Sequence, residues 1–244
     1  RPTQAPVIRF ETGPGAQAPM DCSPFDTPFA EEGPRRGYAF RHILAYLRRR
    51  YLRFVESQDC AATIQEHVRA FEHLSGAITV YLCDSMKVVV QIWDGEQPIY
   101  NTRFLAFSFP YSFRPWACKR RRPQTTRKVD KPFLHIVTHL LNARSFASIA
   151  HLNAFVADAR LPQVHRRPRD TTGRPPLDMW EEEREHSIGL PARPYDTTEV
   201  LDRTVGPEWH IPDEHNPYSG PWSHIGSPLP VRITGHDVIV YTPQ

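Results

Sequence analysis

Three aspartates lie at positions from which separate segments of the chain can bring carboxylates together. Asp21 lies in a short predicted early strand, Asp84 ends the strand-forming run AITVYLCD, and Asp130 lies in a later helical pattern. Two divalent ions held about 3.5–4 Å apart activate an attacking oxygen and stabilise a leaving one. Because Mg²⁺ prefers carboxylate oxygens and water, such a site requires acids rather than His or Cys. The three aspartates are therefore candidate ligands.

Each acid also has an ordinary structural explanation. Asp hydrogen-bonds its own backbone in turns and commonly ends strands, which explains Asp21 and Asp84 without any function. Asp130 taken alone is a helix-surface acid paired with Lys131 or Arg127, an arrangement that contributes little to stability. The elements that carry the acids decide between these explanations.

The predicted elements follow one another in the order strand, two strands, helix, strand, helix, strand, helix. This order, with acids on an early strand, on the fourth strand and on a late helix, is typical of the RNase H-like fold, in which such carboxylates converge. We predict an α/β fold with a mixed sheet flanked by helices, followed by a small all-β module. The predicted strands cover residues 18–22, 37–47, 50–57, 77–84 and 114–120, and the helices cover residues 59–76, 101–113, 124–146 and 145–161.

The helix over residues 59–76 has the clearest pattern. Its apolar residues recur near helical spacing, and Gly76 is a natural stop. We expect His67 and His73 to be surface or flanking residues of this helix.

The distribution of charge suggests a polyanionic partner. The net charge is only +3, but residues 114–131 carry eight Arg or Lys against one acid. A charge run is usually a solvated face, yet a segment this dense and of one sign also suits a phosphate backbone. The predicted DNA-binding residues are Lys119, Arg120, Arg121, Arg122, Arg127, Lys128 and Lys131.

Composition limits the remaining classes of protein. The chain has 244 residues, 40% of them hydrophobic, which indicates a globular protein, and no run approaches the roughly 20 apolar residues of a membrane span. Its four scattered cysteines argue against a zinc site or a disulfide framework and predict a cytoplasmic protein. Arg1 in place of Met suggests a fragment of something longer.

We predict three segments. Residues 1–162 form the catalytic core, and residues 197–244 form a small β-barrel-like module. Between them, residues 163–196 form a proline-rich wrapping linker. The linker prediction follows from prolines and an acidic cluster at 181–185, and the module prediction from short strands between Gly and Pro turns.

Several segments resemble one family in register along nearly the whole chain. PGAQAPMD, HVRAFEHLSGAITVYLCDSMKVVV and FRPWACKRRRPQTTRKVDKPF resemble the regions around the three acids of IstA-type DDE transposases, bacterial insertion-sequence enzymes with a retroviral-integrase-like core. The tail RPYDTTEVLDR, with NPYSGPWSHIG and LPVRIT, resembles the C-terminal β-module of that family.

The resemblance implies that Asp21, Asp84 and Asp130 bind Mg²⁺ or Mn²⁺, as two ions, and catalyse DNA strand cleavage and strand transfer. It also implies double-stranded DNA partners (transposon ends and target), an upstream helix-turn-helix region, an AAA+ ATPase helper and a homo-oligomer on DNA. Localisation would be cytoplasmic, with the protein on the nucleoid when bound to DNA, and no membrane partner is expected.

The chain departs from the family pattern at each acid. Asp130 stands in TRKVD where the family has Glu in KGKVE, and Ser85 and Cys22 replace the family's Asn and aromatic residue. Since Asp withdraws the carboxylate by about 1.5 Å and Mg²⁺ demands near-ideal geometry, this change predicts impaired catalysis. Two hypotheses remain: an active DDE transposase core, and a catalytically inactive DNA-binding or assembly remnant of the same fold.

Overall fold

The computed structural model describes residues 12–84, 86–118, 144–168, 172–213, 216–233 and 237–242. The chain divides into two compact units, one ending at Tyr195 and the other beginning at Asp196. In the described ranges no helix is both long enough and apolar enough to cross a membrane. Residues 124–143 of the helix predicted over 124–146 lie outside the described residues, as do Asp130 and the predicted DNA-binding residues, and residues 144–146 are not helical.

The first unit alternates strands with helices, as predicted. Its elements are β1 (Gln17–Phe29), β2 (Gly33–Ile43), β3 (Arg50–Val55), α1 (Cys60–His73), β4 (Val80–Asp84), β5 (Val90–Asp94), β6 (Gln97–Tyr100), α2 (Thr102–Ser108), β7 (Arg114–Cys118), α3 (Ile149–Phe155), a π-helical turn (Val156–Arg160), α4 (Leu161–His165) and α5 (Trp180–Arg184).

A five-stranded mixed sheet forms the centre of this unit, in the order β3-β2-β1-β4-β7. β2 runs antiparallel to β1 and β3, whereas β1, β4 and β7 run parallel to one another. A parallel pair cannot be joined by a tight turn, so helix α1 makes the crossover that leads into β4. This strand order and these directions are those of the RNase H-like fold, which confirms the predicted fold class.

Local sequence chemistry sets the bounds of the helices. The Asp59 carboxylate accepts a hydrogen bond from the Ala62 amide at 2.8 Å and caps α1. Asn101 caps α2 in the same way, accepting from the Arg103 amide at 2.9 Å. Helix α2 ends at Ser108, before Pro110, so the predicted helix is real but shorter than residues 101–113.

Both faces of the sheet are covered. One face packs on α1 and α2 through a core that includes Phe40, Phe71 and Tyr81. The other face packs on α3 and α4 through a second core that includes Phe54 and Leu152. Because side chains alternate along a strand, β1, β2 and β3 each contribute to both cores.

The hairpin of β5 and β6 was not predicted. It turns at Gly95 and Glu96, between the paired residues Asp94 and Gln97, and Gly95 has a φ of +56°. A glycine at the first of two turn residues is a recognised hairpin signal, so the sequence contained the means to locate it.

The segment predicted as a wrapping linker packs on the first unit and contains helix α5. Glu183, which is fully buried, accepts a hydrogen bond from the Gly15 amide at 2.9 Å. Arg49 lies over the ring of Trp180 at 4.2 Å, and Ile188 forms a β-bridge with Ala77. Helix α5 escaped prediction because its five residues are too few to show a helical repeat.

The expectation that His67 is a surface or flanking residue is wrong, whereas His73 is exposed as expected. His67 is 0% exposed, and its Nδ1 lies 2.7 Å from the Thr63 carbonyl. Its ring lies among aromatic rings, with centroids 4.8 Å from His42 and 5.3 Å from Phe104. Burial lowers the pKa of His67 to about 4, because the apolar surroundings disfavour the charged form of its ring.

The regular elements described in the second unit are β-strands, as predicted, apart from one short 3₁₀ turn. β8 (Glu199–Thr204), β11 (Pro228–Ile233) and β12 (Val238–Val240) form an antiparallel sheet in the order β12-β11-β8. β9 (His210–Asp213) and β10 (Asn216–Ser219) form a hairpin, and a short 3₁₀ turn covers Trp222–His224. The core of this unit is small and consists of Val205, Ile211, Leu229 and Val231.

Candidate active site

Asp21 and Asp84 lie on neighbouring parallel strands. In the pairing of β1 with β4, Gln17 is opposite Val80 and Pro19 is opposite Leu82. Asp21 and Asp84 each lie two residues beyond the last of these pairs, so the same register continued along both strands would place them opposite each other on one face of the sheet. The fold therefore puts two of the three predicted acids, 63 residues apart in the chain (84 − 21), on neighbouring parallel strands.

The third predicted acid and the predicted basic residues cannot be placed in this geometry. Asp130 and residues 119–131 lie outside the described residues. Within the part of the chain that the structure describes, no group of three or more His, Cys, Asp or Glu is arranged to hold a metal ion. Asp21 and Asp84 are thus two ligands of the predicted set, and the set remains a prediction.

Asp21 is held by two donors on its own face of the sheet. An Arg41 Nη donates to Asp21 Oδ2 at 2.9 Å, and the Ser23 hydroxyl donates to the same oxygen at 2.7 Å. Among the described residues, none donates to Asp21 Oδ1. The Asp21 side chain is 22% exposed, so Oδ2 is fixed inside the protein while the carboxylate keeps access to solvent.

Arg41 is placed by strand register. It lies directly opposite Asp21 in the antiparallel pairing of β1 with β2. Directly opposite residues of an antiparallel pair share a face and have Cβ atoms about 4.5–5.5 Å apart. Arg41 is only 2% exposed, so its guanidinium charge is buried beside the carboxylate.

Sequence reasoning missed Arg41 and Ser23. A signal was present, because Arg41 interrupts the strand-forming run AFRHIL at a position that alternation assigns to a covered face. An arginine there requires an anionic partner, since a buried guanidinium stays charged. The sequence does not say which acid that partner is.

Three cysteines lie close to the two aspartates along the strands. Cys118 lies opposite Asp84 in the pairing of β4 with β7, whereas Cys22 and Cys83 adjoin the two acids in sequence and belong to the core on the opposite face of the sheet. Burial raises the pKa of Cys22 to about 12, with Asp21 and then Glu66 adding to the effect. Burial and then Asp84 raise the pKa of Cys118, and burial is also the main cause that raises the pKa of Cys83. These thiols are protonated at neutral pH and are therefore poor metal ligands.

The donor chemistry of the described residues fits a hard divalent cation. Asp21 and Asp84 offer carboxylate oxygens from one face of the sheet, which is what Mg²⁺ and Mn²⁺ prefer. The protonated thiols beside them do not offer the soft thiolate ligands that zinc would use. A metal at this position would meet Asp21 through a carboxylate that already accepts two hydrogen bonds.

Sequence comparison relates the chain to bacterial insertion-sequence transposases. It is 34% identical over 203 residues to the protein assigned as transposase of insertion sequence element IS5376 of Geobacillus stearothermophilus, covering 82% of this chain and 49% of that protein. It is 28% identical over 236 residues to the transposase for insertion sequence element IS21 of Pseudomonas aeruginosa, covering 95% of this chain and 59% of that protein. The chain thus spans about half to three fifths of the length of these curated relatives.

One family model and two solved structures are also similar to this chain. Residues 190–244 match the family described as Mu transposase, C-terminal domain. The HTLV-2 integrase catalytic core domain in complex with magnesium, in its trimeric form, covers 69% of this chain and 98% of its own with a TM-score of 0.49 at 9% identity. A simian T-cell lymphotropic virus intasome in complex with the PP2A regulatory subunit B56 gamma covers 96% of this chain and 81% of its own, with a TM-score of 0.47 at 12% identity. Since both scores are low, the fold assignment rests on the strand order and directions given above.

The sheet, with two aspartates side by side on its parallel central strands, places the chain in the RNase H-like class. Within that class, the sequence relationships identify it as a homologue of IstA-type insertion-sequence transposases. The resemblance that the motifs carry is therefore confirmed.

Proposed function

We propose that this chain is the catalytic region of a DNA transposase that cuts DNA strands and joins them to a target. The observation that supports the proposal is that Asp21 and Asp84 lie on the neighbouring parallel strands β1 and β4, each two residues beyond the last paired position, in a homologue of insertion-sequence transposases. Two carboxylates in this arrangement suit a divalent cation, which binds through hard oxygen ligands.

Asp21, Asp84 and Asp130 are the proposed ligands of two Mg²⁺ or Mn²⁺ ions. Ions bound there would activate an attacking oxygen, first of water and then of a DNA 3′-hydroxyl, and stabilise the leaving oxygen. The chain's own contribution is to hold the carboxylates: strand pairing fixes the backbones of Asp21 and Asp84, and Arg41 with Ser23 fixes the Asp21 carboxylate.

The segment from Lys119 to Lys131 is proposed to bind the phosphate backbone of double-stranded DNA at the transposon ends and target. Seven of its eight charged residues are Arg or Lys, and the segment directly follows β7, the strand that pairs with β4 at Asp84. Arg and Lys bind phosphates without reading the bases, so this segment would hold DNA but would not select its sequence.

The wider assembly is also a proposal. The aligned regions cover 49% and 59% of the lengths of two related insertion-sequence transposases. We infer a catalytic core over residues 1–162, a wrapping linker over 163–196 and a β-module over 197–244. We also infer an AAA+ ATPase helper, a homo-oligomer on DNA and localisation on the nucleoid.

The test is strand cleavage of a labelled transposon-end DNA, with Mg²⁺ or Mn²⁺, by a full-length protein that contains this chain. Asp21→Asn and Asp84→Asn, which keep the side-chain shape, should each reduce cleavage by at least about a hundredfold while leaving DNA binding intact. Cleavage that survives both substitutions would rule out the proposed ligands.

A second candidate function is a DNA-binding or assembly protein without catalysis. The ion pair between Arg41 and Asp21 favours it, because an internal cation already neutralises one proposed ligand. In that case the wild-type protein would bind DNA but neither bind Mn²⁺ nor cleave.

A further inference from the structure

One buried cation shares a sheet face with the two aspartates. Arg41 lies opposite Asp21 across β1 and β2, is 2% exposed, and donates to Asp21 Oδ2 at 2.9 Å. Asp84 lies on the neighbouring parallel strand β4 and, like Asp21, is two residues beyond the last pair of β1 with β4. The face therefore carries one arginine in contact with a carboxylate that the proposed function assigns to a metal.

A guanidinium in this position affects a metal ion in two opposite ways. Its hydrogen bond, with that of Ser23, fixes Oδ2 and so orients the Asp21 carboxylate. Its positive charge repels a divalent cation on the same carboxylate, and burial strengthens that repulsion because the local dielectric constant is low. Arginine does not lose its proton at any pH at which the protein is folded, so the repulsion is permanent.

The charge effect outweighs the orienting effect at this carboxylate. The Ser23 hydroxyl donates to the same oxygen at 2.7 Å and would keep Asp21 oriented without Arg41. Strand pairing with β2 holds the backbone of Asp21, and pairing with β4 holds the residues just before it, up to Pro19. No described residue other than Arg41 places a cationic group against the Asp21 carboxylate.

We propose that Arg41 is a positioning residue that acts through Asp21 as a built-in countercharge and weakens the binding of divalent cations at the Asp21–Asp84 site. This inference rests on the proposed function, since it concerns the same site. It makes the site one in which a metal ion competes with an internal cation for the charge of Asp21.

The experiment measures Mn²⁺ binding to the 244-residue chain by isothermal titration calorimetry without DNA, so catalysis does not enter the readout. Arg41→Met, which keeps much of the shape but removes the charge, should tighten Mn²⁺ binding on the order of tenfold. Arg41→Lys keeps the charge and should bind Mn²⁺ within about threefold of wild type. Ser23→Ala removes the neutral donor and should not tighten binding.

Two further variants keep the test decisive. Arg41→Gln removes the charge but retains a donor for Asp21 Oδ2. It is used in place of Arg41→Met if circular dichroism shows that Arg41→Met is unfolded. Asp21→Asn identifies the Mn²⁺ binding that belongs to this site. It should abolish that binding both as a single substitution and when combined with Arg41→Met.

The possible failures are distinct. Asp21-dependent binding that is unchanged or weaker in the charge-free variants would overturn the role of Arg41 and leave the metal site standing. Mn²⁺ binding that never depends on Asp21, in wild type or in the variants, would overturn both the role of Arg41 and the proposed function.

Discussion

Asp130 stands where IstA-type transposases carry Glu, and its side chain is one methylene shorter. If Asp130 is a metal ligand, Asp130→Glu should raise Mg²⁺-dependent strand cleavage at least about tenfold, because the carboxylate regains about 1.5 Å of reach. Mn²⁺ should support the wild-type protein better than Mg²⁺. The measurement is cleavage of labelled end DNA in both metals by a full-length protein.

Asp84→Asn is the control, since it removes a ligand charge at constant shape. Ser85→Asn, combined with Asp130→Glu, restores the residue that the family has after its second acid. A wild-type protein that cleaves at full rate and loses activity on Asp130→Glu would show that the site has adapted to Asp.

His67 should make folding stability depend on pH. Burial lowers the pKa of His67 to about 4 from its ordinary value of 6.5, so the unfolded chain binds a proton between these values and the folded chain does not. Stability is therefore full above pH 6.5 and falls as pH falls toward 4. Between pH 7.5 and 4.5 this histidine should cost roughly 2.5 kcal/mol.

Urea unfolding of wild type and His67→Phe at the two pH values measures this cost. On acidification, the unfolding free energy of His67→Phe should fall by roughly 2.5 kcal/mol less than that of wild type, because the ring at position 67 no longer titrates. His224→Gln, at a site outside this core in the second unit, is the matched control and should leave the pH dependence unchanged. An equal acid loss in His67→Phe and wild type would contradict the expectation.

At the scale of elements, Asn153 attaches helix α3 to strand β3, which lies at one edge of the sheet. Its Oδ1 accepts from the Phe54 amide at 2.8 Å, and its Nδ2 donates to the Phe54 carbonyl at 2.8 Å. Asn153→Ala should destabilise the first unit by about 1–3 kcal/mol, since it leaves two backbone groups without these partners. Urea unfolding measures the change, and hydrogen exchange at the Phe54 amide locates it.

Asn153→Asp is the sharper variant, because it keeps the acceptor for the Phe54 amide and removes the donor to the carbonyl. We expect it to lie between wild type and Asn153→Ala. Asp158→Ala, an exposed substitution in the following π-helical turn, should change stability by less than about 0.5 kcal/mol. Normal protection of the Phe54 amide in Asn153→Ala would refute the docking role.

The elements also show where local sequence signals suffice. Asp59, Asn101 and Ser148 each cap the helix that follows them, as their side-chain chemistry predicts. The hairpin that turns at Gly95 and Glu96 has a local signal, the glycine at its first turn position. Helix α5 had none, because a single turn of acidic residues is equally typical of a loop.

At the scale of the whole molecule, DNA binding should be governed by phosphate contacts. Alanine at Arg120, Arg121, Arg122, Arg127 and Lys128 should weaken binding and reduce the slope of log affinity against log salt by about 4. Fluorescence anisotropy of a labelled duplex between 50 and 200 mM salt (about a fourfold range) measures the slope.

Arg35→Ala with Arg36→Ala is the control for net charge, since both residues are exposed at the beginning of β2 and lie outside the predicted segment. Their removal should change the slope far less. An unchanged slope after replacement of all five residues would place the DNA-binding surface elsewhere.

Features that depend on neighbours along the chain could be predicted from the residue types. Caps, helical repeats and strand-forming runs are local, and so the mixed order of strands and helices, the acid at the end of β4 and the all-β second unit were predictable from residue types. The family motifs added the expected ligands Asp21, Asp84 and Asp130.

Contacts between distant parts of the chain depend on the tertiary structure. That Asp21 and Asp84 lie on neighbouring strands depends on the pairing of β1 with β4, and that Arg41 contacts Asp21 depends on the register of β1 with β2. His67 points into an aromatic core because α1 packs that face against the sheet. Register and facing arise from burial summed over residues far apart in sequence, and a shift of one residue would reverse every side chain. No local pattern contains that information.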